Sequence, residues 1–204
     1  MPPPVYLLVG LLTYVPVRLV FRLRATGVAN VPREGGAVLA ANHVSNFDPW
    51  PVGLPLFPRR TLRFMAKSEL FWFPLGLLVR GAGAFPVRRG QGDTEAIETA
   101  AQLCREGEIV MMFPEGTRRR KGLRKKWQPR AHTGAARIAL EAGVPLLPAA
   151  ISGTDRVSRL GPFRVAYGRS VPLDDLRGQD PRDAAQEATD RLMAAIAELE
   201  ATLA

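Results

Sequence analysis

The sequence predicts a single α/β domain, a mostly parallel or mixed sheet flanked by helices, preceded by an apolar N-terminal helix. Three observations carry this. Short apolar runs of strand length alternate with segments of helical periodicity from residue 36 to the C-terminus. The helical segments are bounded by caps and stops. The chain of 204 residues, 47% hydrophobic and 23% charged, suits one substantial core and is not the composition of a wholly disordered protein. No internal repeat or linker divides it.

Residues 5–17 form an apolar run interrupted by Pro16 and closed by Arg18. A spanning helix needs about 20 apolar residues, and this run is shorter. A signal peptide begins with basic residues and ends in small ones; here the start is Met-Pro-Pro-Pro and the basic residues follow the apolar run. The segment therefore reads as a membrane-associating helix that dips into one leaflet or lies along it, with arginines at the headgroups. The competing reading is a buried N-terminal core helix. Residues 1–24 are taken as this segment and 25–204 as the globular domain.

Residues 36–41 are read as a buried strand, 62–66 as a second and 84–87 as a third. A helix follows, with Asp93 as N-cap and Gly107 as stop; Ile97, Ala100, Ala101 and Cys104 recur at helical spacing and make its buried stripe. Residues 108–113 are a fourth strand, 133–142 a helix ended by Gly143, 144–151 a fifth strand and 163–167 a sixth. The last helix starts at Asp180-Pro181, a cap followed by a first-turn proline, and carries the stripe Ala188, Leu192, Ile196, Leu199 and Leu203. The aromatic-rich stretch 70–79 fits either core or a lipid-facing surface.

The formal net charge of +9 points to anionic partners. It is concentrated: eight Lys or Arg and no acid lie between Arg118 and Arg130, and no acid precedes Glu34. The single cysteine excludes an intrachain disulfide and a Cys-rich zinc site. His43 and His132 are the only histidines, at no metal-ligand spacing, so neither metal nor cofactor is expected.

Two clusters carry candidate chemistry. Asn42-His43 through Asp48 directly follows a buried strand, where α/β folds expose side chains to ligands. A neutral imidazole is a competent base near neutrality, and a carboxylate across a turn can fix its tautomer. The plainer reading makes His43 a polar residue and Asp48 a helix cap before Pro49. Phe113-Pro114-Glu115-Gly116-Thr117-Arg118 likewise follows a strand. Its glycine admits close approach to the backbone, and Thr117 and Arg118 are phosphate-binding types. Arg88, after the third strand, is a further candidate.

These residues resemble the glycerolipid acyltransferases, whose best-known members acylate 1-acyl-glycerol-3-phosphate. The family's blocks occur in order: Asn-His-x-x-x-x-Asp at Asn42 to Asp48, a Gly-x-x-hydrophobic-x-Arg type block at Gly83 to Arg88, Phe-Pro-Glu-Gly-Thr-Arg at Phe113 to Arg118, and Val144-Pro145 with Pro148. Pro86 departs from the aliphatic residue usual at its position. The resemblance implies that His43 is a general base oriented by Asp48. It implies that Arg88, Gly116, Thr117 and Arg118 bind an acceptor phosphate, with Glu115 ordering that loop or meeting the glycerol. The implied partners are a lysophosphatidate-like acceptor and an acyl-CoA or acyl-carrier-protein donor. The basic run and the arginines after the apolar segment themselves point to an anionic membrane surface at the cytoplasmic face, with no nucleic acid expected. The implied product is phosphatidate. Alternatives are another lysolipid or glycerol 3-phosphate as acceptor and, in a different class, an inactive membrane- or nucleic-acid-binding protein.

Overall fold

The structure, a computed structural model, describes residues 4–87, 94–116 and 131–203. It begins with helix α1 (Pro4–Val20), followed by the short strand β1 (Arg24–Thr26) and then β2 (Ala37–Ala41). A short helix α2 (Pro49–Gly53) leads to β3 (Leu62–Lys67), α3 (Leu75–Gly81) and β4 (Ala84–Val87). The second half holds α4 (Thr94–Arg105), β5 (Ile109–Met112), α5 (Gly134–Ala142), β6 (Leu146–Ser152), β7 (Arg164–Tyr167) and α6 (Pro181–Thr202).

The seven strands form one sheet in the order β1-β7-β6-β2-β5-β3-β4. All neighbours are parallel except β6 and β7. A parallel sheet covered on both faces demands strands apolar on both sides, and β2 (Ala-Val-Leu-Ala-Ala) is buried at every position. Val38 and Ala40 point into the layer formed with α4, α5 and α6, while Ala37, Leu39 and Ala41 point into the opposite layer with Val52, Leu56 and Tyr167.

The helices follow local sequence logic. Asp180 caps α6, its carboxylate accepting from the Arg182 and Asp183 amides at 2.9 and 3.3 Å. Ala188, Leu192 and Ile196 are buried, as the stripe requires. The expected stripe of α4, including Cys104, is buried too; Asp93 lies outside the described residues. Pro86 is placed on β4, which pairs only with β3. An edge strand tolerates a residue that lacks an N–H.

Strand β1 and helix α3 were not expected from the sequence. Strand β1 is only three residues long, exposed at both ends, and pairs along one side with β7. In the 70–79 stretch, Trp72, Phe73 and Leu77 are 60%, 80% and 63% exposed, which overturns core as their place.

Helix α1 is not a buried core helix either: only Gly10 and Val17 are buried. One face docks on the domain. The Tyr6 hydroxyl accepts from the Leu62 amide at 3.3 Å. Gly10 lies against the Phe57 ring so closely that a Cβ there would sit 2.5 Å from a ring carbon. The other face leaves Leu7, Leu8, Leu11, Leu12, Val15, Leu19 and Val20 exposed. Among the described residues no helix is long and apolar enough to cross a membrane.

Candidate active site

Strand β2 lies between β5 and β6. Being parallel, all three deliver their carboxyl ends to the same edge of the sheet, and the candidate residues emerge there. Asn42, the first residue beyond β2, is buried. Its amide copies a strand partner: Nδ2 donates to the Ile151 carbonyl at 3.0 Å, and Oδ1 accepts from the Ile151 amide at 2.8 Å. Nδ2 also donates to Glu200 Oε1 of α6 at 2.8 Å. The backbone that presents His43 is thus tied to β6 and α6.

His43 Nδ1 lies 2.7 Å from Asp48 Oδ2. The same oxygen accepts the Val44 and Ser45 amides at 2.7 and 2.9 Å. The other oxygen, Oδ1, accepts the Thr154 hydroxyl at 2.6 Å. Asp48 is fully buried, at 0% exposure. An ionised carboxylate only accepts, so its partner Nδ1 carries the proton and Nε2 is left as the basic nitrogen. Asp48 does occupy the N-cap position of α2, but its side chain makes no capping bond there. The plainer capping reading is therefore not what the carboxylate does.

Phe113, the residue after β5, stacks on the His43 ring with centroids 4.1 Å apart and planes 20° from parallel. This contact brings the two sequence clusters together. Pro114 and Glu115 are buried beyond it. Gly116 has φ +66°, and a Cβ there would lie 2.6 Å from the His132 ring; only glycine combines that backbone with that contact. His132 is exposed, and its amide donates to the Pro114 carbonyl at 2.8 Å. Arg88, Thr117 and Arg118 lie outside the described residues.

Thr154 had no signal in the sequence: it stands 106 positions from Asp48 in no recognisable motif. The Phe113 stack was equally invisible, although its residue lay in a noted block. Tyr167 is a further support: its hydroxyl donates to the Val52 carbonyl, joining α2 to β7, and burial pushes the phenol well above its ordinary range. Burial also pushes the Cys104 thiol up to about 11, as befits a packing residue. Among the described residues no group of three or more His, Cys, Asp or Glu is placed to hold a metal.

A largely apolar cavity of about 250 Å³ opens beside the His43 loop. Val9 and Thr13 of α1 line one side, Phe47 and Trp50 flank Asp48 in sequence, and Phe57 and Ala84 come from the domain. The seam between α1 and the domain is therefore a pocket wall.

Residues 22–152 match the acyltransferase family. The chain belongs to that family. A 1-acyl-sn-glycerol-3-phosphate acyltransferase of Bacillus subtilis (strain 168) is 32% identical to this acyltransferase over 177 residues, 84% of each chain. A lyso-ornithine lipid O-acyltransferase of Pseudomonas aeruginosa is 36% identical over 137 residues, 66% of this chain and 48% of the other. The crystal structure of the 1-acyl-sn-glycerophosphate (LPA) acyltransferase PlsC from Thermotoga maritima shares the fold. Its TM-score is 0.64 at 22% identity, over 96% of this acyltransferase and 79% of that chain.

The hydrogen bonding at Asp48 sets the His43 tautomer, which nitrogen NMR reads directly. In its neutral form the wild-type ring is expected to show a protonated Nδ1 and a bare Nε2. Asp48→Asn should shift the ring toward the other tautomer. A wild-type ring protonated on Nε2 would refute the assignment.

Proposed function

We propose that this acyltransferase moves a fatty acyl group from acyl-CoA or acyl-carrier protein to the sn-2 hydroxyl of 1-acyl-glycerol-3-phosphate, forming phosphatidate. The observation that carries the chemistry is the His43–Asp48 pair at 2.7 Å, with Nε2 free to act as base. The acceptor reading rests on the relatives named for it, foremost the Bacillus subtilis enzyme.

In this reading His43 Nε2 takes the proton from the acceptor hydroxyl as its oxygen attacks the thioester carbonyl. The C–S bond then breaks, and the proton passes from the imidazolium to the departing thiolate. Such proton transfer contributes about 10²–10⁴-fold. Asp48 holds the ring and stabilises its cation. No acyl-enzyme is required, because the acceptor alcohol is itself the nucleophile. Arg88, Gly116, Thr117 and Arg118 bind the acceptor phosphate, and Glu115 orders their loop. The apolar cavity beside the loop takes the donor acyl chain.

The exposed leucines of α1, with Trp72, Phe73 and Leu77, lie in the headgroup–acyl boundary of one leaflet. The basic run 118–130 meets anionic headgroups there rather than nucleic acid. In this reading the enzyme works at the cytoplasmic face of the cell membrane, supported by the exposed leucines and the basic run. A second acceptor has its own support in the relative named for lyso-ornithine lipid.

The deciding assay incubates purified protein and labelled acyl-CoAs of several chain lengths with a panel of lysolipids and glycerol 3-phosphate. Lysophosphatidate is expected to be the best acceptor, and His43→Ala to abolish its acylation while the fold persists. A marked preference for lyso-ornithine lipid would shift the assignment to the second acceptor. In the same assay Thr13→Phe, which narrows the cavity, should move the optimum to shorter acyl chains; an unchanged optimum would place the chain elsewhere.

Arg88→Ala and Arg118→Ala should chiefly raise KM for the acceptor, since a phosphate remote from the reacting oxygen supplies uniform binding. A change in donor KM alone would assign these arginines to the donor site.

Replacing Leu8, Leu11 and Leu12 together with Asn tests the surface without touching the docked face of α1. Flotation with vesicles containing anionic lipid should fall at least severalfold while the melting temperature holds. Unchanged flotation would remove α1 from the lipid contact.

A further inference from the structure

We propose that Thr154 is a positioning residue that completes the hold on Asp48 and so fixes the plane of the His43 base. This rests on the proposed roles of His43 and Asp48. Three N–H groups reach Asp48, and all come from residues 43–45 to a single oxygen, Oδ2. These bonds tie the carboxylate only to its own loop, and turning about the Cβ–Cγ bond, a soft torsion, carries both oxygens together as that loop shifts. The imidazole that follows it would swing too. The Thr154 hydroxyl meets Oδ1 at 2.6 Å and removes that freedom.

The bond is placed to be strong. Both residues are buried, at 1% and 0% exposure, and a neutral hydroxyl donating to a carboxylate in a dry site makes a short, charge-assisted hydrogen bond. It also comes from outside the loop. Thr154 opens the short 3₁₀ helix Thr154–Arg159 just after β6, the same strand whose Ile151 holds Asn42. One strand end therefore braces both the residue before His43 and the carboxylate after it. The Phe113 stack holds the ring face, which leaves the ring's tilt in its own plane to Asp48.

Thr154 touches Asp48 and not the reacting atoms, so its loss should lower kcat and spare both KM values. The test uses the full-length protein with acyl-CoA and lysophosphatidate. Thr154→Val should lower kcat by about tenfold or more, the scale of one lost hydrogen bond to a charged group. Both KM values should stay within about twofold. Thr154→Ser, which keeps the hydroxyl, should restore most of the rate. In an Asp48→Asn background, Thr154→Val should add little, because the two residues act as one unit.

Wild-type kcat in Thr154→Val beside a crippled Asp48→Asn would overturn the proposal alone. Equal losses in both backgrounds would overturn it as well. Near-normal turnover in Asp48→Asn would instead sink the reading of the His43–Asp48 pair on which it rests. If Thr154→Val does not fold, the Ser and Ala variants carry the same comparison: serine active and alanine impaired supports the proposal, and equal rates refute it.

Discussion

A carboxylate buried away from water must find its hydrogen bonds inside the protein, and Asp48 is held by four. That constraint organises the site. Leaving a buried charge unpaired costs several kcal/mol, a large share of a domain's net stability. The chain therefore folds so that an imidazole, two backbone amides and a hydroxyl converge on one group. The turn after β2 is shaped by two of those amides, the tautomer of His43 by the third partner, and the path of the chain beyond β6 by the fourth. The groups that satisfy the charge are the ones that hold the His43 ring.

The sheet makes that convergence possible. In an antiparallel arrangement β5, β2 and β6 would end at alternating edges. In parallel they end together, and each contributes one part: Phe113 after β5, His43 after β2, Thr154 after β6. The strands themselves are plain, rich in alanine, valine and leucine and buried on both faces. Their rigidity is their contribution, since a side chain held by packed strand ends keeps its geometry better than one on a free loop.

Helix α1 answers to two environments. Tyr6, Val9, Gly10 and Thr13 face the domain and the cavity, while Leu8, Leu11, Leu12 and Leu19 are left outside. An exposed row of leucines is unfavourable in water. Its inner face cannot be detached without opening the pocket beside the His43 loop. One face of the helix is thus left apolar and exposed while the opposite face walls the cavity, the division that the proposed lipid attachment requires.

Much of the fold was legible from sequence because its determinants are local. Asp180 caps α6 through bonds to residues two and three positions on, and the stripe of α4 repeats every three or four residues. His43 and Asp48 were legible for the same reason: five positions and one turn separate them. Strand β1 was not, since three residues at a sheet edge carry too little pattern to distinguish them from a loop. Nor does sequence separate Leu39, wholly buried, from Leu11, 66% exposed; the residue type is the same and only the packing differs. The sequence by itself determined the alternation of elements, the Gly143 and Asp180 caps, and the candidate base with its carboxylate. The tertiary structure alone decided that Thr154, 106 positions away, completes the carboxylate's hydrogen bonds, that Phe113 stacks on His43, and that α1 walls the pocket. Short-range bonds are written in spacing, whereas contacts between distant residues exist only once the strands have closed into a sheet.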